Sequence, residues 1–271
     1  MIPDSTIEGW LREDLGHHDV TNEVPGETTG RLVAKDSGVV AGLDAACAVF
    51  DYLDVTAERA AEAGDRVERG EAVLRVSGSA REVLRGERVA VNIAGHASGI
   101  ATKTRRAVAA AQEVSDDVRI AATRKTTPGL RGIEKRAVVA GGGDTHRLDL
   151  SHMVMVKDNH VAEMGLEGAV SHFRERASFA TKIEVEVENP EDAPRAADAG
   201  ADIVLLDNMS PDQTAEAVDL LAERADDTLT EASGGITVAD VPDYAGTGVD
   251  VISMGSLTHS ADTLDYSFRT G

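Results

Sequence analysis

The chain has 271 residues, enough for one large domain or two modest ones, and its 42% hydrophobic content suffices for a core that 3% aromatic content leaves to Ala, Val, Leu and Ile. A formal net charge of -21 argues against nucleic acid or an anionic membrane as the main partner. The single cysteine, Cys47, excludes an intrachain disulfide and a Cys-cluster metal site, and no apolar run is long enough to span a bilayer.

The start, MIPDSTIEGWLRED, is acidic and lacks an apolar signal region, so a cytoplasmic protein is expected. Few lysines among many acids suggest a high-salt cytoplasm. The first hundred residues carry short β-like stretches, GRLVAKDSGVVAG and EAVLRVSGSAREVL, broken by glycines. Between them LDAACAVFDYL reads as a helix, and a longer one is predicted from Glu87, near a domain boundary. From there a simple unit repeats. Apolar runs at Arg119–Ala122, Met153–Val156, Lys182–Val187, Ile203–Leu206, Thr228–Ala232 and Val249–Met254 alternate with amphipathic stretches of helical length. Strands alternating with helices imply parallel pairing.

Two parallel architectures compete, a doubly wound sheet and a β/α barrel. Each predicted strand is followed by a polar or glycine feature: Arg124-Lys125, Lys157-Asp158, Glu186 with Glu188, Asp207, Ser233-Gly234-Gly235 and Gly255-Ser256. A barrel gathers all its strand ends into one ring, whereas a doubly wound sheet uses one or two at a switch point. The barrel is therefore favoured, incomplete because the units fall short of eight.

Charge is unevenly spread. From Arg119 to His160 eight Lys/Arg face four Asp/Glu, a net of +4 against -25 for the remainder. Concentrated cations in an acidic chain point to a small, highly charged anion. Glu186 and Asp207 are the best metal candidates, since Mg²⁺ uses one or two carboxylates plus substrate phosphates. Glu184, Glu186 and Glu188 alternate with period two and would share a face that needs compensating cations. Ser233-Gly234-Gly235 and Gly255-Ser256 suit phosphate, with a following helix N-terminus adding a favourable dipole.

The segments Thr123-Arg124-Lys125-Thr126-Thr127-Pro128-Gly129-Leu130-Arg131, Gly141-Gly142-Gly143, His146-Arg147 and Lys157-Asp158-Asn159-His160 occur in this order. With Glu13-Asp14-Leu15-Gly16, Glu87-Arg88, Glu184-Val185-Glu186-Val187, Leu206-Asp207-Asn208-Met209 and Glu231-Ala232-Ser233-Gly234-Gly235, the chain resembles the quinolinate phosphoribosyltransferases nearly end to end. The resemblance implies an N-terminal α/β sandwich domain, residues 1–102 with 260–271 returning to it. An incomplete, distorted α/β barrel would occupy residues 103–259. It implies transfer of phosphoribose from phosphoribosyl pyrophosphate to quinolinate with decarboxylation, giving nicotinate mononucleotide, pyrophosphate and carbon dioxide, with Mg²⁺ as cofactor. It also implies a homodimer with shared active sites. Arg124, His146 and Arg147 would hold the acid, joined by Arg88 from the neighbouring subunit. Lys125 and Lys157 would contact the acid or the pyrophosphate, and Glu186 and Asp207 would sit by the ribose and metal. Ser233, Gly234, Gly255 and His259 would bind phosphate, and Asp158 would be secondary. Thr145 stands where the family usually has Asn. A paralogue acting on a different acid, found in molybdenum-transport operons, and a non-catalytic anion-binding protein are the competing readings; the complete arginine set argues against the first and the retained Glu186 and Asp207 against the second.

Overall fold

The structure, a computed structural model, describes residues 2–224 and 227–271. In chain order the elements begin with α1 (Asp4–Leu15), β1 (Glu27–Ala34), β2 (Gly38–Val39), α2 (Leu43–Tyr52), β3 (Thr56–Arg59), β4 (Arg66–Val67), β5 (Ala72–Ser79) and α3 (Ala80–Gln112). They continue with β6 (Arg119–Ala121), α4 (Arg131–Ala140), β7 (Val154–Val156), α5 (Asp158–Met164), α6 (Leu166–Arg174), β8 (Ile183–Val187) and α7 (Ala193–Asp198). The last are β9 (Ile203–Asp207), α8 (Pro211–Ala222), β10 (Leu229–Ser233), α9 (Val241–Ala245), β11 (Val251–Ser253), α10 (Ser256–His259) and β12 (Tyr266–Thr270). No helix among the described residues is long and apolar enough to cross a membrane.

Two compact units emerge. The first comprises the chain up to Arg105, Pro128–Gly142 and Ser260–Gly271; the second comprises Arg106–Thr127 and Gly143–His259. The first unit thus takes in α4 as well as the C-terminal return. Its main sheet is antiparallel in the order β12-β1-β5-β3, with Leu32 opposite both Phe268 and Leu74. Strand alternation sends Leu32, Leu74 and Val76 into a core with Phe50 of α2, while Arg31 and Arg75 face outward. The long helix begins at Ala80, seven residues before its predicted start, because Ala80-Arg81-Glu82-Val83-Leu84 holds mostly strong helix formers that the strand reading had absorbed. On α3, Gly99 is dictated by packing: a Cβ there would strike the Asp262 carbonyl and lie 3.0 Å from Thr263 Cα.

The second unit holds a six-stranded parallel sheet in the order β6-β11-β10-β9-β8-β7. Each of the six predicted strands is present. Chain-adjacent strands are neighbours from β7 to β11, and β6 pairs with β11, so the first and last strands of the unit sit side by side. β6 and β7 are not paired with each other, which leaves the α/β barrel incomplete. Ile183, Val185, Val187, Val204 and Leu206 point outward into a core with α6, α7 and α8. Ile120, Ala232 and Ile252 pack with Val241 and Ala245 of α9. The opposite face of these same strands carries the polar residues.

Candidate active site

Alternation along β8 decides what reaches the interior. Ile183, Val185 and Val187 belong to the outer apolar core, so Glu184 and Glu186 take the other face. Register then sets Glu186, Leu205 of β9 and Glu231 of β10 abreast. Glu188 falls beyond the end of β8 and is exposed, outside this row. A cavity of about 520 Å³ opens where the strands end. Its walls include Arg124 and Lys125 after β6, Lys157 after β7, Asp207 at the end of β9 and Ser233-Gly234-Gly235 after β10. Gly255, Ser256 and His259 follow β11, and His146, Arg147, Glu186 and Glu231 complete the charged lining.

One wall is strongly cationic. Arg147 is buried at 7% exposure, and neither its Nε nor that of Arg124 has a hydrogen-bond partner. Burial, and then the charge of Arg124, push the Arg147 pKa down. The buried carboxylates Glu184 and Glu231 offset part of this charge, and the planar forks of the two arginines match carboxylates bidentately. The Arg147 Nη2 donates to Met155 Sδ at 3.2 Å. His146 adopts a left-handed backbone (φ 51°), and its N–H donates to Asp144 Oδ1 at 2.6 Å. Its ring Nε2 lies 3.0 Å from Glu231 Oε2 and 3.4 Å from Glu184 Oε1. Burial works against a charged ring, but the two carboxylates outweigh it and raise the His146 pKa to about 10. Burial raises the pKa of Glu184, partly offset by His146. Thr145 Oγ1 donates to the His146 carbonyl at 3.2 Å.

The other walls suit a polar, phosphorylated molecule. Lys157 and Glu186 form an ion pair, which holds the ammonium beside the cavity. Asp207 Oδ2 accepts from Asn208 Nδ2 at 2.6 Å, and Asn208 is itself left-handed (φ 56°). Gly234 (φ 108°) must be glycine: a Cβ there would lie 2.7 Å from the Asn208 backbone N. Gly255 is less constrained, since a Cβ there would come within 2.7 Å of Lys125 Cδ, part of a flexible side chain. Thr258 Oγ1 donates to the Lys125 carbonyl at 2.6 Å and to that of Gly255 at 3.2 Å, tying the two loops together. The expected helix dipole is weak. The helices after these loops, α9 and α10, have only five and four residues, so the backbone N–H groups of the loops, not a helix dipole, are what this wall offers an anion.

Family models agree along the chain. The C-terminal domain of quinolinate phosphoribosyl transferase matches residues 100–269, and its N-terminal domain matches residues 19–98. The chain belongs to the quinolinate phosphoribosyltransferase family. A protein of Methanothermobacter thermautotrophicus named as a probable carboxylating nicotinate-nucleotide pyrophosphorylase is 46% identical over 97% of both chains. The human carboxylating nicotinate-nucleotide pyrophosphorylase is 41% identical, over 97% of this chain and 90% of its own. The crystal structure of NadC from Streptococcus pyogenes superposes with a TM-score of 0.91 at 41% identity, covering 99% of this chain and 96% of that one.

Against the residues expected of a quinolinate phosphoribosyltransferase, Arg124, Lys125, His146, Arg147, Lys157, Glu186, Asp207, Ser233, Gly234, Gly255 and His259 all line the cavity. Asp158 does not: its Oδ1 accepts from the Asn159 N–H at 2.7 Å, at the start of α5. Arg88 is an exposed residue of α3 in the first unit, beside Glu87. Arg131 and Lys135, on α4, also belong to the first unit. Glu231 had been given no role in the sequence, although it sits two residues before Ser233 on the same face of β10 and reaches the cavity.

Proposed function

We propose that this member of the family transfers phosphoribose from phosphoribosyl pyrophosphate to quinolinate with loss of carbon dioxide, in the cytoplasm. The observation that carries the reading is the pair of buried Nε atoms on Arg124 and Arg147, without hydrogen-bond partners and beside His146 in one wall. Such a wall suits two adjacent carboxylates on a planar ring. The glycine loops after β10 and β11 suit the ribose phosphate, with Ser233 and His259 beside them. Lys125 and Lys157, both on the cavity wall, would neutralise a departing pyrophosphate. As that group leaves, positive charge develops on the ribose carbon, and Glu186 and Asp207 can stabilise it. Once alkylated, the pyridine nitrogen is cationic, so it stabilises the electron pair left on the neighbouring ring carbon when the carboxylate leaves as carbon dioxide, and that carbon then takes a proton from water to give the product. No group needs to act as a strong base; positioning and charge neutralisation suffice.

Glu186, next to last in β8, and Asp207, last in the neighbouring β9, are hard oxygen donors that would hold Mg²⁺. When bound, the ion would neutralise charge on the pyrophosphate. A homodimer in which Arg88 of one subunit joins the acid pocket of the other is part of the same reading; it is supported by the full-length similarity to the family.

The test is to incubate the purified protein with quinolinate, phosphoribosyl pyrophosphate and Mg²⁺, following nicotinate mononucleotide and carbon dioxide together. Equal amounts of both, and neither after chelation, are expected. A folded protein that forms neither product would reject the reaction. For the shared site, mixing Arg88→Ala with Lys157→Ala chains should restore part of the lost activity, and no recovery would count against it.

A further inference from the structure

We infer that Glu184 and Glu231 are positioning residues, which together clamp the His146 ring in one orientation against the cationic wall of the cavity. The inference rests on the reading of that wall as the quinolinate pocket and adds two residues to which the reaction itself assigns no work. The geometry is specific. A single ring atom, His146 Nε2, lies within 3.4 Å of carboxylate oxygens from two different strands, β8 and β10. Those strands are not neighbours. On β9 between them, Glu184 is level with Ile203 and Glu231 with Leu205, so the two acids approach the ring diagonally from either side. At the other end of the residue, the backbone N–H is fixed by Asp144 and the backbone is left-handed, a conformation that a β-carbon disfavours. His146 is thus held from both ends.

Burial makes the arrangement hard to explain as accident. The side chains of Glu184 and Glu231 are 0% and 2% exposed. His146 Nε2, Glu184 Oε1 and Oε2, and Glu231 Oε1 have no aligned hydrogen-bond partner, so charge attraction between the ring and the two carboxylates, with Arg147 nearby, is what offsets their desolvation. An apolar pair would pack here at lower cost. Glu184 does not line the cavity, so it can influence a ligand only through the residues it holds. One ligand atom from each of His146, Glu184 and Glu231 lies within 4.8 Å of the other two, close enough to hold a metal ion, and the experiment must separate the two cases.

The experiment is a double-mutant cycle on the full chain. Calorimetry would give the Kd of quinolinate and of phosphoribosyl pyrophosphate for Glu231→Gln, His146→Asn and the double variant. Glu231→Gln should weaken quinolinate at least tenfold while leaving the phosphoribosyl pyrophosphate Kd within twofold. In the His146→Asn background the same substitution should cost almost nothing. Losses that simply multiply, or equal weakening of both ligands, would overturn the clamp. A stoichiometric transition metal, lost in Glu231→Gln, would overturn it in favour of a metal centre. If Glu231→Gln does not fold, nitrogen-15 NMR of the unsubstituted protein decides: the His146 Nε2–H must be visible and slow to exchange, and its absence rejects the clamp. Failure of the unsubstituted protein to bind quinolinate would instead sink the functional reading.

Discussion

At the scale of single residues, the cavity is a problem in charge placement. Arg147→Ala should raise the quinolinate Kd on the order of a hundredfold, because the bidentate, charge-assisted contact proposed for this buried guanidinium would be lost. Calorimetry should show phosphoribosyl pyrophosphate binding nearly unchanged, and Arg147→Lys should restore little, since an ammonium cannot supply two parallel donors. His146 also links stability to pH. Its folded pKa of about 10 lies above the ordinary value of 6.5, so its contribution is complete below pH 6.5 and is lost as pH rises toward 10. Denaturant midpoints measured from pH 6.5 to 10 should fall more steeply for the unsubstituted protein than for His146→Asn. The residues easiest to read from sequence were those with a charge at a strand end. Glu231 was hidden because its strand, Leu-Thr-Glu-Ala-Ser, shows nothing unusual until register sets it level with Leu205 and Glu186. Glu188 misled for the opposite reason: the period-two pattern continued in the sequence after the strand had ended at Val187.

At the scale of elements, local patterning carried most of the fold. The six barrel strands were legible because one face of each is apolar and each ends in a polar or glycine signal. Two element-level features were not. Whether α4 packs in the first or the second unit depends on which apolar surface it meets, and helical periodicity is silent on that. The length of the helices after the two glycine loops was also beyond reach, so a dipole was expected where only five- and four-residue helices stand. The long helix α3 offers a sharp test. In an open helix Gly→Ala gains about 1 kcal/mol. Gly99→Ala should instead destabilise by about 1–3 kcal/mol, because the methyl group meets the Asp262 carbonyl and the C-terminal return must shift. A thermal melt showing a stabilised Gly99→Ala would reject that account of the packing.

At the scale of the whole molecule, the dominant quantity is the net charge of -21, with 48 acidic residues against 27 Lys and Arg. Self-repulsion of this size opposes compaction and is relieved by screening. The melting temperature should therefore climb as salt is raised from about 0.01 M to 1 M, over which the Debye length shrinks from about 30 Å to about 3 Å. A flat or falling melting temperature across that range would show that the acidity has no bearing on stability. The strand pairings carry a consequence of another kind, for the order of assembly during synthesis. β1 lacks its outer neighbour until β12 exists, and β6 cannot pair with β11 until Val251–Ser253 exists. Both sheets therefore wait for the segment after Asp250. Each waits on a contact spanning well over a hundred residues, the kind of long loop closure that slows folding. A growing chain would expose the unpaired edges of β1 and β6 until then, when chaperones matter most.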